Sequence, residues 1–328
     1  MDRAQISGGY DLLAAGELNE DIIISGLESA PDFGKEISAA SFSECLGSST
    51  AICACTASDL GLKTAFFGIL GTDPRGRLVL DALKAHGVDT SDIIVDSRLT
   101  TGVTVSISTN KDRALITYSG DTIDGYAANE IPLETYRARH LHIGAYSLRH
   151  RLWEGLPALF RKAHELGMTT SLDAGWDESG TFLNALKETL RETDIFFPNE
   201  IEAARIAGTD DIQEAAAKIA AMGCDAVIKL GGKGAMVFLK ECKKSIFQSA
   251  YRVNVTDTTG AGDNFNSGYL FAYLKGMDPQ TCLLYGNASG AISTTHYGGA
   301  SFLQSLRDVE TTIAQGRVPV DIYGRKLI

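Results

Sequence analysis

Two glycines and an aspartate lie where a helix is predicted to begin, in the stretch Gly260-Ala261-Gly262-Asp263. Apolar residues recur at helical spacing from Phe265 onward, so the glycines occupy the start of that helix. Glycine in a helix costs about 1 kcal/mol relative to alanine, and its presence is explained if a ligand must approach the backbone closely. Unpaired N–H groups and the positive end of the helix dipole converge there, which makes the turn an anion site with Asp263 at its edge.

The same residues also have a purely structural interpretation. Thr259 can cap the helix and Asp263 can complement its dipole, and neither role involves a ligand. Because short glycine motifs produce many false matches, the stretch taken alone favours this interpretation. A carboxylate in a first helical turn is expected to stay ionised near neutral pH, so Asp263 would be available as a proton acceptor, although a weak one.

Polar residues also follow the first predicted strand, Tyr10 to Gly16. Asn19 and Asp21 are two residues apart, so in extended chain they face the same side and can hydrogen-bond adjacent hydroxyl groups. Ligand sites at the carboxyl edge of the sheet are typical of open α/β folds. A simple turn explains the two residues equally well.

A third pair, Asn199 and Glu202, begins another predicted helix. The three-residue spacing favours an N-cap with a capping box, but the same pair can hold a magnesium ion through water. The glycine-rich turn 231–234 lacks the spacing of a GxxxxGK[ST] phosphate loop. No GxGxxG follows any predicted strand, which argues against a dinucleotide-binding dehydrogenase.

Composition and charge limit the partners. The chain has 328 residues and a net charge of −11, which argues against nucleic acid or an anionic membrane as a partner. Its six cysteines show no CxxC pair and no metal-ligand spacing. The N-terminal residues do not resemble a signal peptide, and no apolar run is long enough to span a bilayer. We therefore expect a cytoplasmic protein.

The elements that must position these residues alternate regularly. From His140 onward, predicted strands and helices take turns, which indicates βαβ units and a parallel sheet. Residues 102–118 contain two β-rich stretches around Asn110-Lys111-Asp112, which predict a hairpin with one exposed face. With a weaker strand between Lys35 and Cys45, the hairpin would form a small sheet that projects as a lid and excludes water from a transfer reaction.

Four motifs, in order along the chain, resemble those of the PfkB/ribokinase-like carbohydrate kinases. The most specific is Asp257-Thr258-Thr259-Gly260-Ala261-Gly262-Asp263-Asn264-Phe265, which is similar to the C-terminal signature of the family. The others are Gly16-x-x-Asn19-x-Asp21, Gly68-x-x-Gly71-x-Asp73-x-x-Gly76 and Pro198-Asn199-x-x-Glu202. The resemblance implies one Rossmann-like α/β domain over residues 1–328, with a mostly parallel central sheet flanked by helices. A discontinuous β lid would come from about residues 17–45 and 97–120.

The resemblance also implies an ATP-dependent kinase and assigns roles to residues. The catalytic group would comprise Asp263 as the base and the N–H groups of Gly260, Ala261 and Gly262 as an anion hole. The sugar would be bound by Asn19, Asp21, Gly47 and Ser48. Asn199 and Glu202 would organise Mg²⁺ and the phosphates, and the nucleotide side would be lined by Lys229, Gly231, Gly234 and Asn287. A monovalent cation such as K⁺ would be held by Asp257 and Thr259.

The chain departs from the family at the acceptor side. Family members usually carry two glycines and a later asparagine in the N-terminal signature, whereas Ser48 and Ile52 stand at two of these places. The resemblance therefore implies an altered acceptor pocket. Ketodeoxygluconate kinases continue a strand like Met168 to Asp173 into Asp-x-Asn-x-Arg, and its absence here disfavours that acid sugar. Trp176 can stack on a sugar ring or pack in the core.

Together these features predict a sugar kinase that uses ATP and Mg²⁺. The expected acceptor is a hydroxyl, by preference a primary one, of a small sugar such as a pentose, fructose or a related keto-sugar. A nucleoside kinase is the alternative within the same chemistry, and a non-catalytic sugar-binding regulatory protein is the alternative from another class. The exposed lid sheet can pair with that of another subunit, so a homodimer is a further expectation.

Overall fold

The computed structural model describes residues 9–109, 113–175, 183–316 and 322–323. Its strands are β1 (Leu12–Ala15), β2 (Asn19–Leu27), β3 (Ser41–Leu46), β4 (Thr64–Phe67), β5 (Ile69–Gly71), β6 (Ile94–Asp96), β7 (Gly102–Thr109), β8 (Arg113–Tyr118), β9 (His140–Ile143), β10 (Thr169–Asp173), β11 (Ile195–Phe197), β12 (Asp225–Lys229), β13 (Gly234–Leu239) and β14 (Lys244–Ser249).

The α-helices are α1 (Ser49–Asp59), α2 (Pro74–Ala85), α3 (Leu133–Tyr136), α4 (His150–Trp153), α5 (Leu156–Glu165), α6 (Leu183–Leu190), α7 (Glu200–Ala207), α8 (Ile212–Ala220), α9 (Ala261–Leu274), α10 (Pro279–Ser293) and α11 (Leu306–Gln315). In the part of the chain that is described, no helix combines the length and apolar character needed to cross a membrane.

The central sheet has eight strands in the order β14-β13-β12-β11-β10-β9-β1-β4. The six strands from β12 to β4 in this order pair in parallel, and β13 and β14 continue the sheet in antiparallel pairing. The predicted mostly parallel sheet is therefore confirmed. Since parallel strands end at the same edge, the segments after β1, β9, β10, β11 and β12 meet along one edge of the sheet.

Helices cover both faces of this sheet. Successive residues of β1 point to opposite faces: Leu13 belongs to a core shared with α5, α6 and α8, and Leu12 to a core shared with α1, α9, α10 and α11. Both leucines are fully buried. Burial on both faces explains why these strands read as continuous apolar runs rather than alternating ones.

A separate small sheet has the order β3-β2-β7-β8. The predicted hairpin is present as the antiparallel pair of β7 and β8, while its turn, Asn110-Lys111-Asp112, lies outside the described residues. The weak strand predicted between Lys35 and Cys45 is shorter than expected, because β3 begins only at Ser41. All residues of β8 are exposed, so both faces of this strand are open, whereas the alternation predicts a single exposed face.

Two other boundaries differ from the sequence pattern. The apolar run Thr64 to Leu70 predicts one strand, but the chain changes partners at Gly68, so that β4 pairs with β1 and β5 pairs with β6. A side chain at Gly68 would lie 2.8 Å from Phe66 and 2.9 Å from Leu18, so the bend depends on glycine. The apolar pattern from Phe302 to Ile313 predicts a helix that starts at Phe302, but the helix begins at Leu306, where Ser305 caps it.

Candidate active site

The glycine turn lies before α9, with Gly260 as the residue preceding the helix. Gly260 has φ 71° in the left-handed region, and a Cβ there would lie 2.5 Å from the Cα of Gly299. Glycine is required both by the backbone conformation and by this close approach. The expectation that Thr259 caps the helix is therefore wrong, since Gly260 occupies the capping position without a side-chain hydrogen bond.

Asp263 lies in the first turn of α9 and faces α1. Ser49 Oγ donates a hydrogen bond of 2.6 Å to Asp263 Oδ1. Burial and the nearby carboxylate of Asp173 raise the pKa of Asp263 to about 7. The expectation that the helix terminus keeps Asp263 well ionised at neutral pH is thus wrong, because the cost of burying the charge outweighs the dipole. A pKa near the ambient pH makes this carboxylate a stronger base than the sequence suggested.

A buried ion pair lies beside Asp263. Lys229 Nζ lies 2.5 Å from Asp173 Oδ2, and the side chains are 14% and 7% exposed. Asn266 Nδ2 donates to the same oxygen at 2.7 Å. Burial alone would raise the pKa of Asp173, but the Lys229 ammonium holds it below its usual value. A Cβ at Gly262 would lie 3.4 Å from Lys229 Nζ, which brings the ammonium to the glycine turn.

Asn199 and Glu202 form the predicted capping box at the start of α7. Asn199 Oδ1 accepts from the N–H of Ile201 and of Glu202, each at 2.9 Å, and Glu202 Oε2 accepts from Asn199 N–H at 2.8 Å. Burial, followed by the charge of Asp173, raises the pKa of Glu202 to about 7. Glu202 and Asp263 are therefore two carboxylates whose ionisation a neighbouring cation would favour.

The expected acceptor residues are in contact with one another at the joint between the small sheet and α1. Ser48 Oγ donates to Asn19 Oδ1 at 2.6 Å, and Asn19 Nδ2 donates to Asp21 Oδ1 at 3.1 Å. A Cβ at Gly47 would lie 2.2 Å from Asp21 Oδ1, so the backbone there touches the carboxylate. Ser48 has φ 72°, a conformation that favours glycine. The hydrogen bond between the Ser48 hydroxyl and Asn19 offsets part of the strain of this backbone conformation in a serine.

Four of the six expected nucleotide residues line one cavity of about 440 Å³. It lies between β12, the turn after it and the N-terminal end of α9. The cavity is lined by Lys229, Gly231, Gly234 and Asn287, together with Ala261 and Gly262 of the glycine turn, whereas Asn199 and Glu202 are not part of its lining. Asn287 Nδ2 donates to the carbonyl of Gln248 at 3.0 Å, so this side chain also ties α10 to β14.

The expected cation residues bind to each other. Asp257 Oδ1 accepts from Thr259 N–H at 3.0 Å and from Thr259 Oγ1 at 2.9 Å. Asp257 Oδ2 accepts from Gly298 N–H at 2.9 Å. Arg113, from the small sheet, donates to Thr259 Oγ1 at 2.9 Å.

Three site residues were missed by the sequence reasoning: Ser49, Asp173 and Arg113. Asp173 ends a predicted strand at the ligand-binding edge, so its position was a usable signal. Ser49 and Arg113 carried no such signal, because their partners Asp263 and Thr259 are 214 and 146 residues away in sequence. Trp176, proposed to stack or pack, lies outside the described residues.

Comparison with known proteins places this geometry in a family. A model described as pfkB family carbohydrate kinase matches residues 12–306. An uncharacterized sugar kinase of Archaeoglobus fulgidus is 30% identical over 243 residues, which cover 74% of this chain and 95% of that protein.

Two solved structures have the same fold. One is Arabidopsis thaliana ribokinase complexed with ribose and ATP, with a TM-score of 0.79 and 25% identity, covering 93% of this chain and 99% of that one. The other is adenosine kinase from Sinorhizobium meliloti, with a TM-score of 0.80 and 22% identity, covering 94% and 99% of the two chains.

Proposed function

The chain belongs to the pfkB family of carbohydrate kinases, and from this premise we propose that it transfers the γ-phosphate of ATP to a primary hydroxyl of a small sugar. The acceptor class is a pentose, fructose or a related keto-sugar. One observation carries the proposal: Asp263 and its glycine turn lie between the nucleotide-sized cavity and the cluster of Asn19, Asp21 and Ser48.

In the proposed mechanism, positioning and charge neutralisation do most of the work. Phosphoryl transfer passes through a loose transition state, so the protein aligns the alcohol with the phosphate and stabilises charge on the transferred oxygens. The N–H groups of Gly260, Ala261 and Gly262 and the Lys229 ammonium supply that stabilisation. Asp263 accepts the hydroxyl proton, and the Ser49 hydroxyl holds its carboxylate in place.

The residues of this site fit a magnesium ion that Asn199 and Glu202 would hold through water. Glu202 and Asp263 both have raised pKa values, and a dication nearby would relieve their mutual repulsion. Among the described residues, no group of three or more His, Cys, Asp or Glu side chains is arranged to hold a metal ion. Because Mg²⁺ commonly keeps several waters and binds substrate phosphates, Asn199 and Glu202 would hold it indirectly. Bound there, it would neutralise charge on the phosphates.

The small sheet is proposed to serve as the lid. Its strand β2 carries Asn19 and Asp21, and its strand β3 leads into Gly47, so movement of the sheet would move the acceptor residues directly. The sheet also supports the proposal of a homodimer. Its outer strands expose Phe42, Leu115, Ile116 and Tyr118, each more than half exposed, and a second copy of this sheet would cover them.

Under this proposal, kcat/KM is expected to rise with pH, with an inflexion near pH 7. Only the ionised Asp263 can accept a proton, and its pKa is raised to about 7. Because this pKa lies above the unfolded value of 3.8, protonation of Asp263 stabilises the folded state; that contribution is fully present below pH 3.8 and is lost as the pH rises from there to about 7. Initial rates at low concentrations of both the sugar and MgATP, where the free enzyme predominates, give the profile, and a flat profile over about one pH unit on each side of 7 would contradict the assignment.

The function is tested by measuring ADP release over a panel of pentoses, hexoses, acid sugars and nucleosides, with Asp263→Asn as the inactive reference. A sugar that gives saturable ADP release with the wild-type protein supports the proposal. Turnover of nucleosides alone would make the chain a nucleoside kinase, an outcome consistent with its adenosine kinase-like fold. Binding of sugars without any ADP release would indicate a regulatory sugar-binding protein. The intact Asp263 and glycine turn argue against that alternative.

A further inference from the structure

An arginine of the small sheet reaches the loop that precedes the anion hole. Arg113 opens β8, and its Nη1 donates to Thr259 Oγ1 at 2.9 Å. The same nitrogen lies 3.9 Å from Asp257 Oδ1, where the side chains are 37% and 14% exposed. Thr259 in turn donates to that oxygen at 2.9 Å. A chain of polar contacts thus runs from the small sheet to the residue next to Gly260.

The arrangement does not fit a monovalent cation at Asp257. Such a cation is held by oxygen atoms that converge on it, as in rings of backbone carbonyls. Here donors converge instead: the N–H and hydroxyl of Thr259 bind one carboxylate oxygen and the N–H of Gly298 binds the other. The positive charge of Arg113 beside the same carboxylate would repel a second cation at this distance.

We propose that Arg113 takes the place of the monovalent cation beside the anion hole and fixes the glycine turn when the small sheet is closed. The guanidinium supplies a fixed positive charge at Asp257, and its bond to Thr259 holds the residue that precedes Gly260. Arg113 is a positioning residue: it acts through Thr259 and Asp257, not on the reacting atoms. The expected effect of Arg113 on kcat rests on the proposed function, whereas its expected effect on the stability of the glycine turn does not.

Arginine suits this role because its charge is permanent. Its Nη1 donates a hydrogen bond to the Thr259 hydroxyl, and its contact with the Asp257 carboxylate at 3.9 Å is electrostatic. Burial raises the pKa of Asp21 to about 7, the Asp257 carboxylate adds to this rise, and the Arg113 guanidinium is close enough to oppose it. The guanidinium therefore lies between Asp21, on the acceptor side, and Asp257, beside the anion hole. Closure of the small sheet over the acceptor would bring it to this position.

The test compares activity in KCl and in tetramethylammonium chloride at equal ionic strength. The wild-type kcat is expected to be the same in both salts. Arg113→Ala is expected to lose at least about tenfold in kcat in tetramethylammonium, and to recover part of it when K⁺ or guanidinium is added. Arg98→Ala removes another arginine, whose side chain is 86% exposed and, among the described residues, bonds to Asp96 in its own loop, and it serves as the control with unchanged activity.

A second readout does not depend on catalysis. The melting temperature of the wild-type protein is expected to be the same in the two salts, whereas that of Arg113→Ala is expected to be higher in K⁺. If no acceptor released ADP in the screen, the melting temperatures would therefore still test the role of Arg113. The inference is overturned if K⁺ activates or stabilises the wild-type protein several-fold more than tetramethylammonium, or if Arg113→Ala behaves alike in both salts.

Discussion

Replacing Asp263 by asparagine is expected to lower kcat about 10³-fold while leaving the affinity for ATP nearly unchanged. Asparagine has the shape of the carboxylate and can still accept the bond from Ser49, which is 2.6 Å long, but it cannot take a proton from the acceptor. The anion-hole N–H groups and Lys229 remain in place, so nucleotide binding survives. Single-turnover rates and a direct titration with ATP measure the two quantities.

Ser49→Ala provides the matched control for this prediction. It removes the contact to Asp263 but keeps the base, so its kcat is expected to fall far less than that of Asp263→Asn. If Asp263→Asn kept more than about a tenth of the wild-type kcat, the assignment of Asp263 as the base would be wrong, because a different group must then accept the proton.

Replacing Asp173 by asparagine is expected to lower the free energy of unfolding by about 3–5 kcal/mol, because it leaves the buried Lys229 ammonium without its ion-pair partner. It should also move the acid limb of the kcat/KM profile to lower pH. Asp173 raises the pKa of both Asp263 and Glu202, and an unpaired Lys229 would lower both further. Urea denaturation and a pH–rate profile test the two effects on the same variant.

Asp32→Asn is the matched surface control, since Asp32 pairs with Lys35 where both side chains are about 70% exposed. Its stability is expected to stay close to that of the wild-type protein, as for most exposed ion pairs. The double variant Asp173→Asn, Lys229→Met removes both charges and is expected to be more stable than the single one. Equal stability of Asp173→Asn and the wild-type protein would show that the pair is not buried as described.

Local patterns in the sequence were sufficient for the parts of the site that depend on local chain geometry. Glycines before an apolar helical pattern located the turn at Gly260, and the Asn199–Glu202 spacing gave the capping box that the structure contains. These features involve residues within a few positions of each other, so propensity and spacing determine them. The pfkB family followed from the order of the motifs and the mostly parallel sheet from the alternation of strands and helices, and both are confirmed.

The remaining features depend on contacts between distant segments. The pKa of Asp263 is raised by burial and by Asp173, which lies ninety residues earlier in the chain. The position of Asp263 at a helix terminus does not predict that rise. The break at Gly68 depends on which strand each half of the run pairs with. Arg113 lies in a strand whose alternation predicts only an exposed face. In each case tertiary packing overrode the local pattern.

Ser48 and Ser49 are adjacent, yet one holds Asn19 on the acceptor side and the other holds Asp263. An evolutionary change that adapts this segment to a new sugar therefore also displaces the support of the base. Mutations here should be strongly epistatic, with the effect of one serine depending on the identity of the other. A lineage that changes its acceptor would have to pass through slower enzymes, or another residue would have to replace the contact to Asp263. Either requirement limits how readily the substrate preference can change at this joint.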